Sequence, residues 1–165
     1  MIKLNKVYLS VGTNLGDRRK NMITAEGLIN LKVGPVVKKS AIYETAAWGL
    51  TEQPDFYNQV LLAETTLSAE EALREILEIE NFMGRVRLHK WGSRLIDIDI
   101  LYYRDEVINV PHLKIPHPFL QDRKFVLIPL SEIEPSYVHP LLKKSNERLL
   151  AELKDESEVR KLDFD

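Results

Sequence analysis

The chain has 165 residues, of which 44% are hydrophobic and 29% charged, with a formal net charge of −2 and no cysteine. That length suits one domain spanning 1–165 with a continuous core, and the near-balanced charge gives no global attraction to nucleic acid or to an anionic membrane. The lack of cysteine excludes a disulfide framework, thiolate metal sites and cysteine nucleophiles, and it fits a reducing compartment.

The N-terminal apolar stretch is too short for a signal-peptide core or a membrane span, so the expected location is cytoplasmic. Val7 to Val11 reads as a buried strand. Gly12 to Asp17 then turns the chain into a helix whose apolar residues Leu15, Met22, Ala25 and Ile29 recur at helical spacing. Two β-rich runs follow, Val36 to Tyr43 and Tyr57 to Thr66, separated by a loop from Ala46 to Asp55 that is long enough to be functional. Ser68 and Glu71 form a capping box ahead of a helix that buries Ala72, Leu73, Ile76, Ile79 and Met83 and stops at Gly84.

A basic, glycine-containing loop, Arg85 to Arg94, feeds straight into a strand from Leu95 to Tyr103. Beyond Asn109, prolines at 111, 116, 118, 129, 135 and 140 divide the chain into short pieces, with one last helix expected from Ser145 to Leu153. The order strand, helix, strand, strand, helix, strand suggests an α+β fold of ferredoxin-like type, an antiparallel sheet with helices packed on it.

The chemistry concentrates in Arg94-Leu-Ile-Asp-Ile-Asp-Ile-Leu101. A strand period of two puts Asp97 and Asp99 on one face and Ile96, Ile98 and Ile100 on the other. Two carboxylates roughly 6.5–7 Å apart repel by about 2.5 kcal/mol at an effective dielectric near 20, so a positive partner should offset them. Arginines at 85, 87 and 94 lie close by in sequence. Carboxylates on a rigid strand suit Mg²⁺, which takes one or two of them together with substrate phosphates, and arginines suit the phosphates themselves. The rival phosphate site, Gly12 to Gly16, lacks the G-K-[ST] ending of a P-loop and the third glycine of a dinucleotide fingerprint, and reads as a capped turn. On residues alone, a Mg-dependent phosphotransferase, a phosphohydrolase and a non-catalytic ferredoxin-like binding module all stay open. An RNA partner is disfavoured by the charge and by the lack of an aromatic strand motif.

Several separated blocks narrow this. Lys90 to Leu101, Leu9 to Leu15, Ile42 to Thr45, Gln53 to Gln59, Gly84 to Arg87, Ile115 to Pro118 and Arg123 to Phe125 together resemble the 6-hydroxymethyl-7,8-dihydropterin pyrophosphokinase family, over about residues 6 to 140. The resemblance implies transfer of the ATP pyrophosphoryl group to the pterin hydroxymethyl oxygen, with two Mg²⁺ ions, ATP as co-substrate and AMP as product. It makes Asp97 and Asp99 the metal ligands and places Arg85 and Arg94 with them in the catalytic set. Glu80, Arg85, Trp91, Arg94, Ile100, His117 and Arg123 match ATP-binding positions. Thr45, Ala46, Trp48, Phe56, Asn58 and Phe125 match the pterin site, where two rings sandwich the heterocycle and the Asn58 carboxamide reads its edge. The loops 46–55 and 85–93 are expected to close over substrates, and the enzyme is expected to be a monomer. Ala46-Ala47 stands where many relatives carry proline, and Trp48 where a smaller apolar residue is common.

Overall fold

Val7 to Thr13 are buried without a break, as in a central strand flanked by neighbours on both edges. In the computed structural model, which describes residues 2–46, 54–84 and 95–164, that strand is β1 (Asn5–Thr13), and it runs between two antiparallel neighbours. They are β4 (Phe56–Thr65) and β5 (Asp97–Tyr103). Beyond β4 lie β2 (Val36–Lys39) and β3 (Tyr43–Thr45), and β3 pairs outward with β8 (Val159–Lys161). The sheet order β5-β1-β4-β3-β8 is that of a ferredoxin-like fold with one strand added at its edge.

Each long helix follows from its sequence signals. Asp17 caps α1 (Arg18–Lys32) by accepting from Lys20 N at 3.1 Å, and Ser68 and Glu71 close the expected capping box on α2 (Ala69–Phe82). The two helices cover one face of the sheet. Met22, Ala25 and Ile29 of α1 and Ala72, Ile76 and Ile79 of α2 pack there on Val7, Leu9, Val11, Leu61, Ile98 and Ile100.

The opposite face is only half covered. Tyr8, Val60, Leu62, Leu101 and Tyr102 pack there against α3 (Lys124–Ile133) and α4 (Asn146–Glu152), which contribute Val126, Leu127, Leu130 and Leu149. Along each central strand the residues of this face then shrink or turn polar: Tyr8, Ser10 and Gly12 on β1, Leu62, Val60 and Asn58 on β4. Among the described residues, the half of the face without large apolar side chains stays open as a cleft.

Four elements depart from the sequence expectations. The run 36–43 is two strands, because Ser40 turns the chain while exchanging bonds with Val60 through its backbone N–H and its Oγ. The alternation of β5 breaks at Leu101, where a register shift opposite Tyr8 and Leu9 turns Leu101 and Tyr102 to the same side. The stretch after Asn109 contains a hairpin of β6 (Ile108–Val110) and β7 (Leu113–Ile115), and then ten-residue α3, which continues through Pro129. An interior proline costs about 3 kcal/mol. Burial of Val126, Leu127 and Leu130, at about 1.5–3 kcal/mol each, outweighs it. Strand β8, short and charged, carried no local signal.

Candidate active site

Register builds the site. Across the open face, Asn58 on β4, Gly12 on β1 and Asp97 on β5 are directly paired neighbours, and the next row holds Val60, Ser10 and Asp99. Both aspartates thus face the cleft, as the period of two required. With strands about 4.8 Å apart, the Asn58 and Asp97 backbones are roughly 10 Å from each other. Only Gly12 stands between them. A Cβ there would meet Asn58 Oδ1 at 2.7 Å, so the glycine is what lets the Asn58 carboxamide lie over the sheet.

The cleft has a volume of about 800 Å³, within the range of small-molecule sites. Of the residues singled out by sequence, it gathers Thr45, Ala46, Phe56, Asn58, Glu80, Asp97, Asp99, His117, Arg123 and Phe125. Ile100 is instead buried in the helix-covered core. Trp48, Arg85, Trp91 and Arg94 lie outside the described residues, as does most of both loops expected to close.

At one end of the cleft, Asn58 Nδ2 donates to Thr45 Oγ1 at 3.2 Å, orienting the amide between β3 and β4. Phe56, opposite Thr45 in the register, and Phe125, in the first turn of α3, supply aromatic faces to the same end. At the other end are the aspartates, His117 and Arg123. The Arg123 guanidinium lies 5.5 Å from the Phe119 ring centre and 5.9 Å from that of Phe125, held by both rings at the N-terminus of α3.

His117 is fixed from two sides. Its backbone N–H donates to Leu101 O at 2.9 Å, and its Nδ1 accepts from Phe119 N at 3.2 Å. An accepting Nδ1 leaves the proton of the neutral ring on Nε2. Burial pushes the His117 pKa down, with Asp99 opposing that shift and Arg123 adding to it. The neutral ring is therefore a hydrogen-bond donor at physiological pH.

Glu80 is a carboxylate with only 3% of its surface exposed, on the buried stripe of α2. Among the described residues β5 is the edge strand beside β1, the N–H of Ile98 points away from β1, and Glu80 Oε2 accepts it at 2.8 Å. The helix thereby grips the strand between its two aspartates.

The glycine-rich turn acts as an anchor for the flanking segments. Asn14 Nδ2 donates to Pro54 O at 3.2 Å, Arg18 donates to Asp55 O at 2.8 Å, and the Thr13 hydroxyl donates to Leu95 O. Asp17 caps the helix while Gly16 takes a positive φ of 63°, so the turn is the capped structure the sequence indicated. Sequence reasoning missed Ser10, Gly12, Asp122, Asp155 and Ser157 as lining residues. Ser10 and Gly12 had a signal, the alternation Tyr8, Ser10, Gly12 along one strand.

Residues 8–135 match the family profile described as 7,8-dihydro-6-hydroxymethylpterin-pyrophosphokinase (HPPK). The chain is 44% identical over 154 residues to the 2-amino-4-hydroxy-6-hydroxymethyldihydropteridine pyrophosphokinase of Aquifex aeolicus, covering 93% of each. To the enzyme of the same name from Haemophilus influenzae it is 37% identical, covering 88% of this chain and 89% of the other. It is also 40% identical to the folic acid synthesis protein FOL1 of Dictyostelium discoideum over 88% of this chain, which spans only 22% of that longer protein. In fold it is similar to the wild-type Plasmodium falciparum HPPK-DHPS crystallised with pteroate, with a TM-score of 0.74 and 18% identity over 90% of this chain and 42% of the other. The chain belongs to the 7,8-dihydro-6-hydroxymethylpterin-pyrophosphokinase family, the ATP-dependent diphosphotransferases that act on hydroxymethyldihydropterin in folate biosynthesis.

Proposed function

We propose that the cleft on the open half of the sheet holds both substrates of the family reaction, with the pterin between Phe56 and Phe125 and the ATP phosphates over Asp97, Asp99, His117 and Arg123. The hydroxymethyl oxygen attacks the β-phosphorus of ATP. The bond from that phosphorus to the oxygen of the α-phosphate breaks, and AMP leaves. The observation that carries this reading is the cross-strand row Asn58, Gly12, Asp97, which sets a heterocycle-reading amide and a cation-binding carboxylate on one surface at roughly the span of a substrate.

The donor set fits magnesium, since both carboxylates rise from the same face of a rigid strand into a solvent-open cleft. Two ions, held by Asp97 and Asp99, would supply neutralisation of the phosphate charge. Asn58 and Thr45 orient the pterin edge, with Ala46 and Trp48 adding backbone contacts. His117 donates from Nε2, and Arg123, Arg85 and Arg94 take up charge developing on the leaving phosphate. Glu80 and Trp91 border the nucleotide. The side chain of Ile100 is committed to the core, so its contact with ATP falls to the backbone along the outer edge of β5.

A cytoplasmic monomer is the accompanying expectation, from the cysteine-free and weakly charged composition. Sedimentation at the mass of one chain would support the monomer. For the reaction, the protein is incubated with ATP, Mg²⁺ and 6-hydroxymethyl-7,8-dihydropterin and the nucleotide products are separated. AMP with the pterin diphosphate is expected, and ADP or free phosphate would overturn the reading. Asp97→Ala should lower turnover by about 10²-fold or more, and an unimpaired variant would refute the metal assignment.

A further inference from the structure

The C-terminal segment from Asp155 to Lys161 carries no recognised motif, yet it borders the cleft. Asp155 and Ser157 line the main cavity, and a second hollow of about 320 Å³ beside it shares Thr45, Ala46, Phe125 and Ser157. Residues 155, 157 and 159 are half-buried and 156, 158 and 160 exposed, so Asp155 and Ser157 turn toward the body of the protein.

Two fastenings hold the segment. At its start, the Asp155 carboxylate accepts from Ser157 N at 2.8 Å, a bond that with the nearby Lys124 holds its pKa down, while Lys124 Nζ donates to Ser157 O at 2.9 Å. Arg123, the N-cap residue of α3, makes no side-chain cap bond, and Asp155 brings a negative charge close to this helix start, where the helix dipole favours it. Lys124 lies between Arg123 and Phe125, two residues of the proposed site.

At its end, β8 pairs with β3, placing Val159 opposite Thr45 and Arg160 opposite Glu44. Arg160 and Arg18 bond the two carboxylate oxygens of Glu44, Arg18 at 3.1 Å. Arg18 also donates to Asp55 O and stacks 4.1 Å from the Tyr57 ring centre. One clasp therefore joins the C-terminal strand, β3 and the residue that precedes Phe56.

We propose that segment 155–161 is the outer wall of the pterin subsite and a specificity-determining element for that substrate, with Asp155 fixing the Phe125 end of the slot and the Arg160–Glu44–Arg18 clasp fixing the Thr45 end. The inference rests on the pterin lying between Phe56 and Phe125. Asp155 and Arg160 are positioning residues. Loosening either should widen the slot without moving the aspartates of β5, which lie across β4 and β1 from the clasp.

The test uses Arg160→Glu, which sets a repelling charge against Glu44, and independently Asp155→Ala. Pterin binding is measured in Mg²⁺ with a non-hydrolysable ATP analogue at saturation, analogue binding is measured alone, and steady-state constants and melting temperature are recorded beside them. Expected are a rise of about fivefold or more in Kd and KM for the pterin in each variant that folds, with analogue Kd and kcat within about twofold of wild type. A pterin Kd within about twofold of wild type in either folded variant overturns the proposal, as does an equal loss for both ligands. If Arg160→Glu does not fold, Asp155→Ala, which removes only the local bond to Ser157 N and the charge beside Lys124, decides alone. A wild-type protein that binds no pterin overturns the underlying reading as well, whereas a wild type that makes AMP beside unaffected variants overturns the wall alone.

Discussion

Replacing Gly12 with alanine puts a methyl group 2.7 Å from Asn58 Oδ1, where ordinary contact begins at 3.4 Å. The amide must move by about 0.7 Å, because the Gly12 backbone is held on both sides by β4 and β5. That movement strains the bond from Asn58 Nδ2 to Thr45 Oγ1 and misaligns the groups proposed to read the pterin edge. One or two hydrogen bonds at net values of about 1–1.5 kcal/mol each amount to roughly 1–3 kcal/mol, or about 5- to 150-fold in pterin affinity. Overpacking against the end of a side chain should cost about 1–2 kcal/mol of stability, lowering Tm by roughly 2–8 °C. Pterin binding, titrated with a non-hydrolysable ATP analogue present, should therefore fall by that factor while analogue binding alone changes less than about threefold. Pterin affinity within about twofold of wild type would refute the role given to Asn58. A matching loss of analogue binding would show general distortion of the sheet.

Glu80→Ala leaves the Ile98 N–H buried without its acceptor, a cost of about 1–3 kcal/mol, whereas Glu80→Gln retains an acceptor oxygen. Thermal denaturation should show a drop of roughly 2–12 °C for alanine and less than half of that for glutamine, and equal drops would refute the strand-gripping role. Burial lowers the pKa values of His117 and His139, so the unfolded chain binds protons near 6.5 where the folded protein resists them. Stability should accordingly be full above about pH 6.5 and decline as the pH falls below it. His139 Nδ1 accepts from Leu141 N and Leu142 N, and His139→Asn offers an oxygen for the same donors without titrating. The variant should flatten the acid slope of Tm between pH 7 and 5.5, and an unchanged slope would rule out His139 as a source.

What was legible in the sequence was what a local period determines. Asp97 and Asp99 share a face because a strand repeats every two residues, and Ser68 and Glu71 cap α2 because a helix start repeats its own geometry. Gly12 reads locally as a turn glycine. Its purpose depends on Asn58, 46 positions away, which arrives only through strand pairing. Asp155 and Ser157 depend in the same way on Lys124, and nothing near them in sequence points to it. Pro129 misled in the other direction, since its local cost is outweighed by burial that only the assembled sheet provides. The functional blocks stood out because their order along the chain is itself a pattern, even where each residue alone has an ordinary structural reading.

The bond from Ile98 to Glu80 has a consequence beyond catalysis. An open sheet edge invites strand addition by a second molecule, and among the described residues β5 is such an edge, rich in isoleucine. With that outward N–H occupied from α2, an incoming strand loses a partner near the start of the edge. The far border is guarded by other means, a β8 of only three residues with Arg160 and Lys161 exposed. The strand proposed to meet the nucleotide is in this way a poor template for self-association.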